Sequence, residues 1–535
     1  MKKTVAVWAT SLVLVLVLGA PALLDCDGPG GGAGSTSVIV QAKDVATAAQ
    51  AVRAVGGQIT HALTVINGVA ATLSVAQRQQ LAQLPITISE NRSIRVASGS
   101  TYVDTYYPTL LGAALLHAEG ILGSGVTVAV LDTGLYEPKP IRKGPDGKDR
   151  LVDKYDAVHD RTAQAKDDDS GHGTHVTSIL ASSAQASGTS LYNGVAPGVT
   201  LISVRAFDGM GEGTYADVIR GIGWIIEHRA KYNIRVLNCS FSAPPSSHYW
   251  EDPLNQAAMR AWQAGIVVVT SVGNTGPDPM TIGVPGNVPY VITVGAMTDS
   301  STSADRTDDR LASFSSAGPT YEGFVKPEVV APGGHMLGIM PVKATIPLEH
   351  PEYYDSGKES FTMSGTSQAA ATVTGVVALM LEANPNLTPD EVKWRLMSTA
   401  RPGVDAAGFL QYSIFQQGAG VVDAYAAVRD QVEGYANRGL DIGKDLAGLE
   451  HYGGRANRNA LGGYYIMNLS ADGYVWNGAY SWSSAYLWSD AYLWSDAYLW
   501  SDAYLWSDAY PWISAYLWSD ALCEPVAINK WVNQE

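Results

Sequence analysis

The chain has 535 residues, with 35 Lys and Arg against 51 Asp and Glu and a formal net charge of −16, which excludes nucleic acid as its main partner. A hydrophobic fraction of 46% fills at least one large core and excludes global disorder. The cysteines Cys26, Cys239 and Cys523 form neither a disulfide framework nor the paired spacing of a structural zinc site.

In chain order, Lys2 and Lys3 precede an apolar run from Val5 to Leu18 and the small-x-small triplet Ala20-Pro21-Ala22, the form of a secretory signal over 1–22. An uncleaved anchor and lipidation of Cys26 stand as alternatives; Asp25 argues against the second, because lipoprotein signals place a small neutral residue there. No later stretch approaches the roughly 18 consecutive apolar residues of a membrane span, so a secreted protein is expected. A Gly-rich linker covers 23–36. Residues 37–97 then read as strand, helix, strand pair around Asn67-Gly68, helix from Val75 and closing strand. That βαββαβ order predicts a small ferredoxin-like α+β domain.

Residues 98–435 carry a different pattern. VTVAVLD (126–132), TLISVRAF (200–207), IRVLNCSF (234–241), GIVVVTSVGN (265–274) and YVITVGAM (290–297) alternate with longer helical stretches. Near-continuous apolar strands are buried on both faces, so an α/β fold is expected, with a mainly parallel sheet flanked by helices on both sides. Thr388-Pro389-Asp390-Glu391 marks a helix start with a capping box and a first-turn proline. Residues 436–473 read as a linker. Over 474–521 the unit AYLWSD recurs every six residues, with tryptophan at 476, 482, 488, 494, 500, 506, 512 and 518. An even period keeps Tyr, Trp and Asp on one face of an extended strand, which predicts a β-type array rather than a helix. A tail, 522–535, follows.

Catalytic groups in a parallel sheet sit at the carboxyl ends of its strands. There the chain places Asp132 in VAVLDTG, His172 in GHGTHV, Asn274 in SVGN and Ser367 in SGTSQAA. Taken singly, each has a plain structural explanation: a turn aspartate, a core histidine, a turn asparagine, a helix-capping serine. Together they supply a carboxylate, an imidazole, an amide and a hydroxyl, each in a loop framed by glycine or small residues.

These blocks closely resemble the subtilisin family of serine endopeptidases (peptidase S8), in which the order Asp, His, Ser is the family's own. YNIRVLNCSF, FSSAGPT, KPEVVAPG and QGAGVVDAYAAV make the stretch from about Val126 to Val422 similar to AprX-type bacterial subtilases. The resemblance implies Ser367 as nucleophile and His172 as its general base. It also implies Asp132 as the group that orients the ring, and Asn274 as oxyanion donor. The chemistry agrees: a serine hydroxyl is a weak nucleophile without a base, and imidazole exchanges protons near neutrality. The tetrahedral oxyanion needs donors placed in advance, Asn274 and the Ser367 backbone N–H.

By the same resemblance, Ser240, Phe241 and Ser242 wall the first specificity pocket, Gly211, Glu212 and Gly213 form the opposite substrate strand, and Tyr215 lies near a more distant pocket. Gly283 sits at the pocket base, which offers no acidic residue, so a broad apolar or aromatic P1 preference is expected for protein or peptide substrates. Four positions depart from the family pattern: Gln368 where methionine is common, Ala371 and Thr372 where proline and histidine follow, and Ser242 for a frequent glycine. No cofactor is required for this chemistry. The acidic run Asp167-Asp168-Asp169 could hold a structural calcium, but a solvated loop explains it as well, and no metal is assigned. Cys239 reads as a small buried hydrophobe.

The 37–97 domain resembles the inhibitor I9-like propeptide, which implies a self-processing zymogen cleaved between Arg95 and Thr101; a permanent accessory domain is the alternative. The aromatic repeat suits a cell-surface or polysaccharide ligand, or simple self-packing. A weakly active protease fold presenting that repeat to a surface is the second functional reading.

Overall fold

A computed structural model describes residues 35–91, 105–162, 168–186, 188–299, 308–404, 409–430, 432–458, 463–466, 498–499, 526–528 and 531–532. The chain divides into two compact units, Met1–Ser98 and Gly99–Glu535.

In the first unit, β1 (Ser35–Gln41), α1 (Val45–Ala54), β2 (Gln58–Leu63), β3 (Gly68–Ser74), α2 (Val75–Leu81) and β4 (Thr87–Glu90) follow one another. The antiparallel sheet runs β2-β3-β1-β4, matching the βαββαβ order read from the sequence. Alternation puts Val38, Val40, Val69, Ala71 and Leu73 on one face, where Ala48, Val52 and Leu81 of the two helices close the core. Asp44 caps α1 through the Thr47 amide, and Ser74 with Gln77 forms a capping box on α2, so both helix starts are satisfied locally. Asn67 takes the left-handed conformation (φ 53°) at the β2–β3 turn. The expected signal segment and the expected linker as far as residue 34 lie outside the described residues; Ser35 and Thr36, read as the end of that linker, instead open β1, paired with Ser74 and Leu73.

The second unit is built on a nine-stranded sheet. Its longer strands are β5 (Thr127–Asp132), β6 (Leu151–Asp156), β7 (Thr200–Arg205), β9 (Ile234–Cys239), β11 (Val267–Ser271), β12 (Ile292–Thr298) and β13 (Val329–Pro332). These are all mutually parallel, and Arg161–Thr162 and Arg310–Leu311 add short antiparallel edges. Two further pieces, β8 (Glu212–Gly213) and β10 (Phe241–Ser242), stand off this sheet. The helices that matter to the site are α3 (His172–Ala181), α4 (Tyr215–Tyr232), α5 (Pro253–Gln263), α6 (Thr366–Ala383) and α7 (Pro389–Thr399). All of β5 is buried, as its unbroken apolar run requires. From β5 the chain moves to β7 on one side and later to β9 on the other. The crevice where a ligand can reach the sheet therefore opens at the carboxyl end of β5. Helix α6, apolar and small on every side, is buried from Thr366 to Leu381. α7 carries the expected capping box, with Thr388 N–H donating to Glu391 Oε2 at 2.8 Å and Glu391 N–H to Thr388 Oγ1 at 3.3 Å.

Two expectations are corrected here. The stretch 436–473 is not a plain linker: Ile442–Leu446 forms α8. The Asp445 carboxylate on it is buried and accepts from the hydroxyls of Tyr249 (2.6 Å) and Tyr290 (3.0 Å). This segment is anchored by hydrogen bonds to one carboxylate as well as by Ile442 and Leu446 packed on the main core, and hydropathy does not register the carboxylate. The tail 522–535 is not featureless either, since Val526–Ile528 forms a strand. Of the aromatic repeat only Tyr498–Leu499 is described, paired antiparallel with Tyr452–Gly453; the rest lies outside the described residues. No helix among the described residues is long and apolar enough to cross a membrane.

Candidate active site

Asp132 is the last residue of β5, and its Oδ1 accepts from its neighbour's Thr133 N–H at 2.8 Å and from His172 Nδ1 at 2.7 Å. Both side chains are buried. His172 is the first residue of α3, and the glycines on either side serve different ends. Gly171, the N-cap, has φ 93°, a left-handed turn that a side chain would strain. Gly173 passes so close to β5's exit loop that a Cβ there would meet Gly134 O at 2.3 Å.

The sequence reading missed what holds this pair together. Asp168, taken as part of a solvated acidic run, is buried and spends its carboxylate on the His172 loop. Its Oδ1 accepts from Thr133 Oγ1 (2.7 Å) and Gly171 N–H (2.8 Å), and its Oδ2 from Thr174 N–H (2.8 Å) and the Thr174 hydroxyl. The Thr133 hydroxyl in turn accepts from Gly173 N–H at 2.9 Å. One carboxylate thus ties the residue after Asp132 to the amides flanking His172. Burial raises the Asp168 pKa, with these hydrogen bonds opposing it. An Asp four positions before a histidine that opens a helix was the available signal. Asp169 is exposed and lies 3.6 Å from Arg205; Asp167 is outside the described residues. No group of three or more His, Cys, Asp or Glu among the described residues is placed to hold a metal ion.

Ser367 is the second residue of α6 and is buried. Its hydroxyl donates to Ser240 O at 2.9 Å, and the Ser240 hydroxyl donates to Ser367 O at 3.1 Å. Asn274, just past β11, accepts on Oδ1 from Thr366 N–H (3.0 Å) and the Thr366 hydroxyl (2.8 Å). Those bonds fix the amide plane at the α6 entry, where a Cβ on Gly365 would sit 3.3 Å from Asn274 Nδ2. Asp132 and His172 are therefore bonded, and Ser367 and Asn274 are joined through Thr366. The Ser367 hydroxyl is turned to Ser240 O, however, and His172 Nε2 is buried with no hydrogen-bond partner among the described residues.

A family model described as the subtilase family matches residues 123–421. The chain belongs to the subtilase family. It is 40% identical over 320 residues to serine protease AprX of Bacillus subtilis (strain 168), spanning 59% of this chain and 69% of that protein. It is 30% identical over 379 residues to subtilisin E of the same strain, spanning 70% and 84%. It is 33% identical over 282 residues to an extracellular serine proteinase of Thermus sp. (strain Rt41A), spanning 53% and 57%. The resemblance carried by VAVLDTG, GHGTHV and SGTSQAA holds: this subtilase is a subtilisin-like serine endopeptidase acting on protein or peptide substrates.

The departures from the family pattern find local partners. Gln368 Nε2 lies 3.4 Å from His175 Nδ1, while His175 Nε2 bonds Phe361 O at 3.0 Å. Burial drives His175 down to about 4, so it is neutral and can accept from Gln368. Thr372 returns its hydroxyl to Gln368 O at 2.9 Å, and α6 runs on unbroken through Ala371. Around the subtilase cleft, Phe241 is buried against Phe207 with centroids 5.1 Å apart. Ser242 Cβ is 2.8 Å from where a Gly283 Cβ would stand, and its Oγ is 3.2 Å from the corresponding position at Gly273. Only glycine fits beside Ser242 at Gly283. Tyr215 donates to Asp252 Oδ2 at 3.0 Å, at the N-cap of α5. Gly211 precedes β8 with φ 78°. Cys239 is buried in the core, and burial with the nearby Asp132 charge pushes its thiol up, which makes it unreactive.

Proposed function

We propose that this subtilase cleaves peptide bonds through an acyl-enzyme, with Ser367 as nucleophile, His172 as general base and then acid, and Asp132 as the acceptor that holds His172 Nδ1–H. Asn274 and the Ser367 backbone N–H stabilise the oxyanion. The observation that carries this reading is the 2.7 Å bond from buried His172 to buried Asp132, which leaves Nε2, the proton-accepting nitrogen, buried and without a hydrogen-bond partner among the described residues. Ser367 reaches it by leaving Ser240 O for another staggered χ1 well, and catalytic hydrogen bonds are commonly tightened only once substrate is bound. Breaking the amide then transfers the Ser367 proton through His172 to the leaving amine, and water releases the acyl group.

The reading extends to a secreted zymogen whose 37–97 domain is a self-removed intramolecular inhibitor, and to an apolar P1 preference whose pocket depth Ser242 limits. The aromatic repeat is assigned a cell-surface or polysaccharide ligand. Fluorophosphonate labelling tests the core of it: wild type should label and Ser367→Ala should not, while an unlabelled wild type under conditions where another subtilase reacts overturns it. Ser367→Ala should also retain the 37–97 domain; normal processing of that variant removes self-maturation.

A further inference from the structure

The two short strands that flank the cleft, β8 (Glu212–Gly213) and β10 (Phe241–Ser242), are not left open. Between them lies β14 (Val526–Ile528), antiparallel to both. Val526 pairs with Gly213, Ala527 with Glu212 and Ser242, and Ile528 with Phe241. The Ile528 amide donates to Gly211 O at 3.0 Å. Its side chain lies over the glycine face, 2.3 Å from where a Gly211 Cβ would be, and joins the apolar clusters on both sides of the cleft. The register carries the chain toward Ser240, whose carbonyl holds the Ser367 hydroxyl. Beyond that point Trp531 stacks on His350, with centroids 3.8 Å apart and planes 8° apart, and meets Phe361 edge-on. Residues 529–530 lie outside the described residues.

We infer that the C-terminal segment, Val526–Ile528 with Trp531, is an intramolecular occupant of the substrate cleft, bound as an extended apolar peptide whose chain runs toward Ser367 as the acyl side of a substrate does. This rests on the proposed function for the identity of the cleft. The pairing is between backbones, so it is tolerant of sequence, and a protein substrate offering a similar extended strand displaces it. The segment is tethered, so its effective concentration does not fall on dilution. A ligand meeting a site open only a fraction of the time binds with its affinity reduced by that fraction. The tail therefore raises apparent KM and leaves kcat alone, and the recognised substrate class is an extended segment with small or branched apolar residues, as in Val-Ala-Ile.

The test compares the full chain with a deletion of 526–535 and with Ile528→Asp, which sets a charge against Gly211 and two apolar clusters. With a fluorogenic peptide both variants should show KM lower by about tenfold or more, with kcat within about twofold. A synthetic peptide of residues 522–535 added to the deletion variant should restore the higher KM competitively, and the same peptide with Ile528→Asp should not. Equal KM in all three proteins, with no competition by the peptide, overturns the inference. The same peptide, fluorescein-labelled, is titrated into Ser367→Ala whose 37–97 domain has been removed by cleavage with an added protease, with and without the deletion, which removes both the inhibitory domain and self-cleavage of the tail from the measurement. Binding tighter by about tenfold in the deleted form supports the inference, and equal binding overturns it. A chain that shows this difference but takes no fluorophosphonate loses the catalytic assignment alone; one that hydrolyses peptides but shows no difference loses the tail alone.

Discussion

Asp168→Asn separates a positioning role from a decorative one. The carboxylate accepts hydrogen bonds from Thr133 Oγ1, Gly171 N–H, Thr174 N–H and the Thr174 hydroxyl, two on each oxygen. An isosteric amide keeps one oxygen and turns an NH2 group toward the two donors on the other side. Losing two bonds to an ionised acceptor costs about 3–6 kcal/mol at 1.5–3 kcal/mol each. Relief of burying the carboxylate offsets part of it, and burial is the leading cause of its raised pKa. The net expectation is a loss of roughly 2–4 kcal/mol of stability. Because Gly171 and Gly173 bracket His172, the imidazole shifts with them, and a displacement near 1 Å costs about 10² in kcat. Asp168 touches no substrate, so KM should stay within about threefold. Urea unfolding of Asp168→Asn in the Ser367→Ala background gives the stability without autolysis, and steady-state kinetics in the active background gives kcat and KM. Stability unchanged to within about 0.5 kcal/mol, together with an unchanged kcat, would refute the network as the device that places His172.

Further consequences can be measured independently. Asn274→Asp keeps the acceptor for Thr366 and removes the amide donor, so kcat should fall by about 10² to 10³ with little loss of stability, whereas Asn274→Ala should lose both; equal kcat in Asn274→Asp contradicts the oxyanion role. His175 titrates near 4 when folded against about 6.5 unfolded, so between those values the unfolded chain takes up a proton that the native one refuses. Stability attributable to His175 is full above about pH 6.5 and falls by about 3 kcal/mol on descent to pH 4. Asp168, raised by burial, works in the opposite sense, stabilising toward acid. The difference in urea midpoints between Ser367→Ala and its His175→Gln derivative from pH 7 to 4.5 isolates the histidine, and parallel curves would refute its buried neutral state. Ser242→Gly opens the space facing Gly273 and Gly283 and should raise kcat/KM for aromatic over small P1 side chains by about tenfold; an unchanged ratio places Ser242 outside the pocket.

The long parallel strands were legible because burial on both faces demands uninterrupted apolar runs such as VTVAVLD and GIVVVTSVGN, and that demand is local. So were the helix starts: Thr388 with Glu391 needs only a spacing of three. Asp132, His172, Asn274 and Ser367 were legible as polar residues framed by glycine or small neighbours, though the structure puts His172 and Ser367 in the first turns of helices and nothing local shows that Asp132 and His172 meet at 2.7 Å. Asp168 was misread because exposed and buried aspartates look alike in sequence; its burial depends on Thr133, Gly171 and Thr174 converging on it.

Hydrophobic periodicity and residue order alone determined the α/β architecture and the small βαββαβ unit ahead of it, while peptide hydrolysis was read from the resemblance of VAVLDTG, GHGTHV and SGTSQAA to the subtilisin family. Tertiary structure decided which rotamer Ser367 holds, where Asp168 spends its charge, and that Val526–Ile528 lies between Glu212–Gly213 and Phe241–Ser242. The physical reason is the range of the interactions. Burial and capping are written into neighbouring residues, whereas strand addition is made by backbone groups that every residue carries, so the partner is chosen by geometry that forms only when the chain has folded.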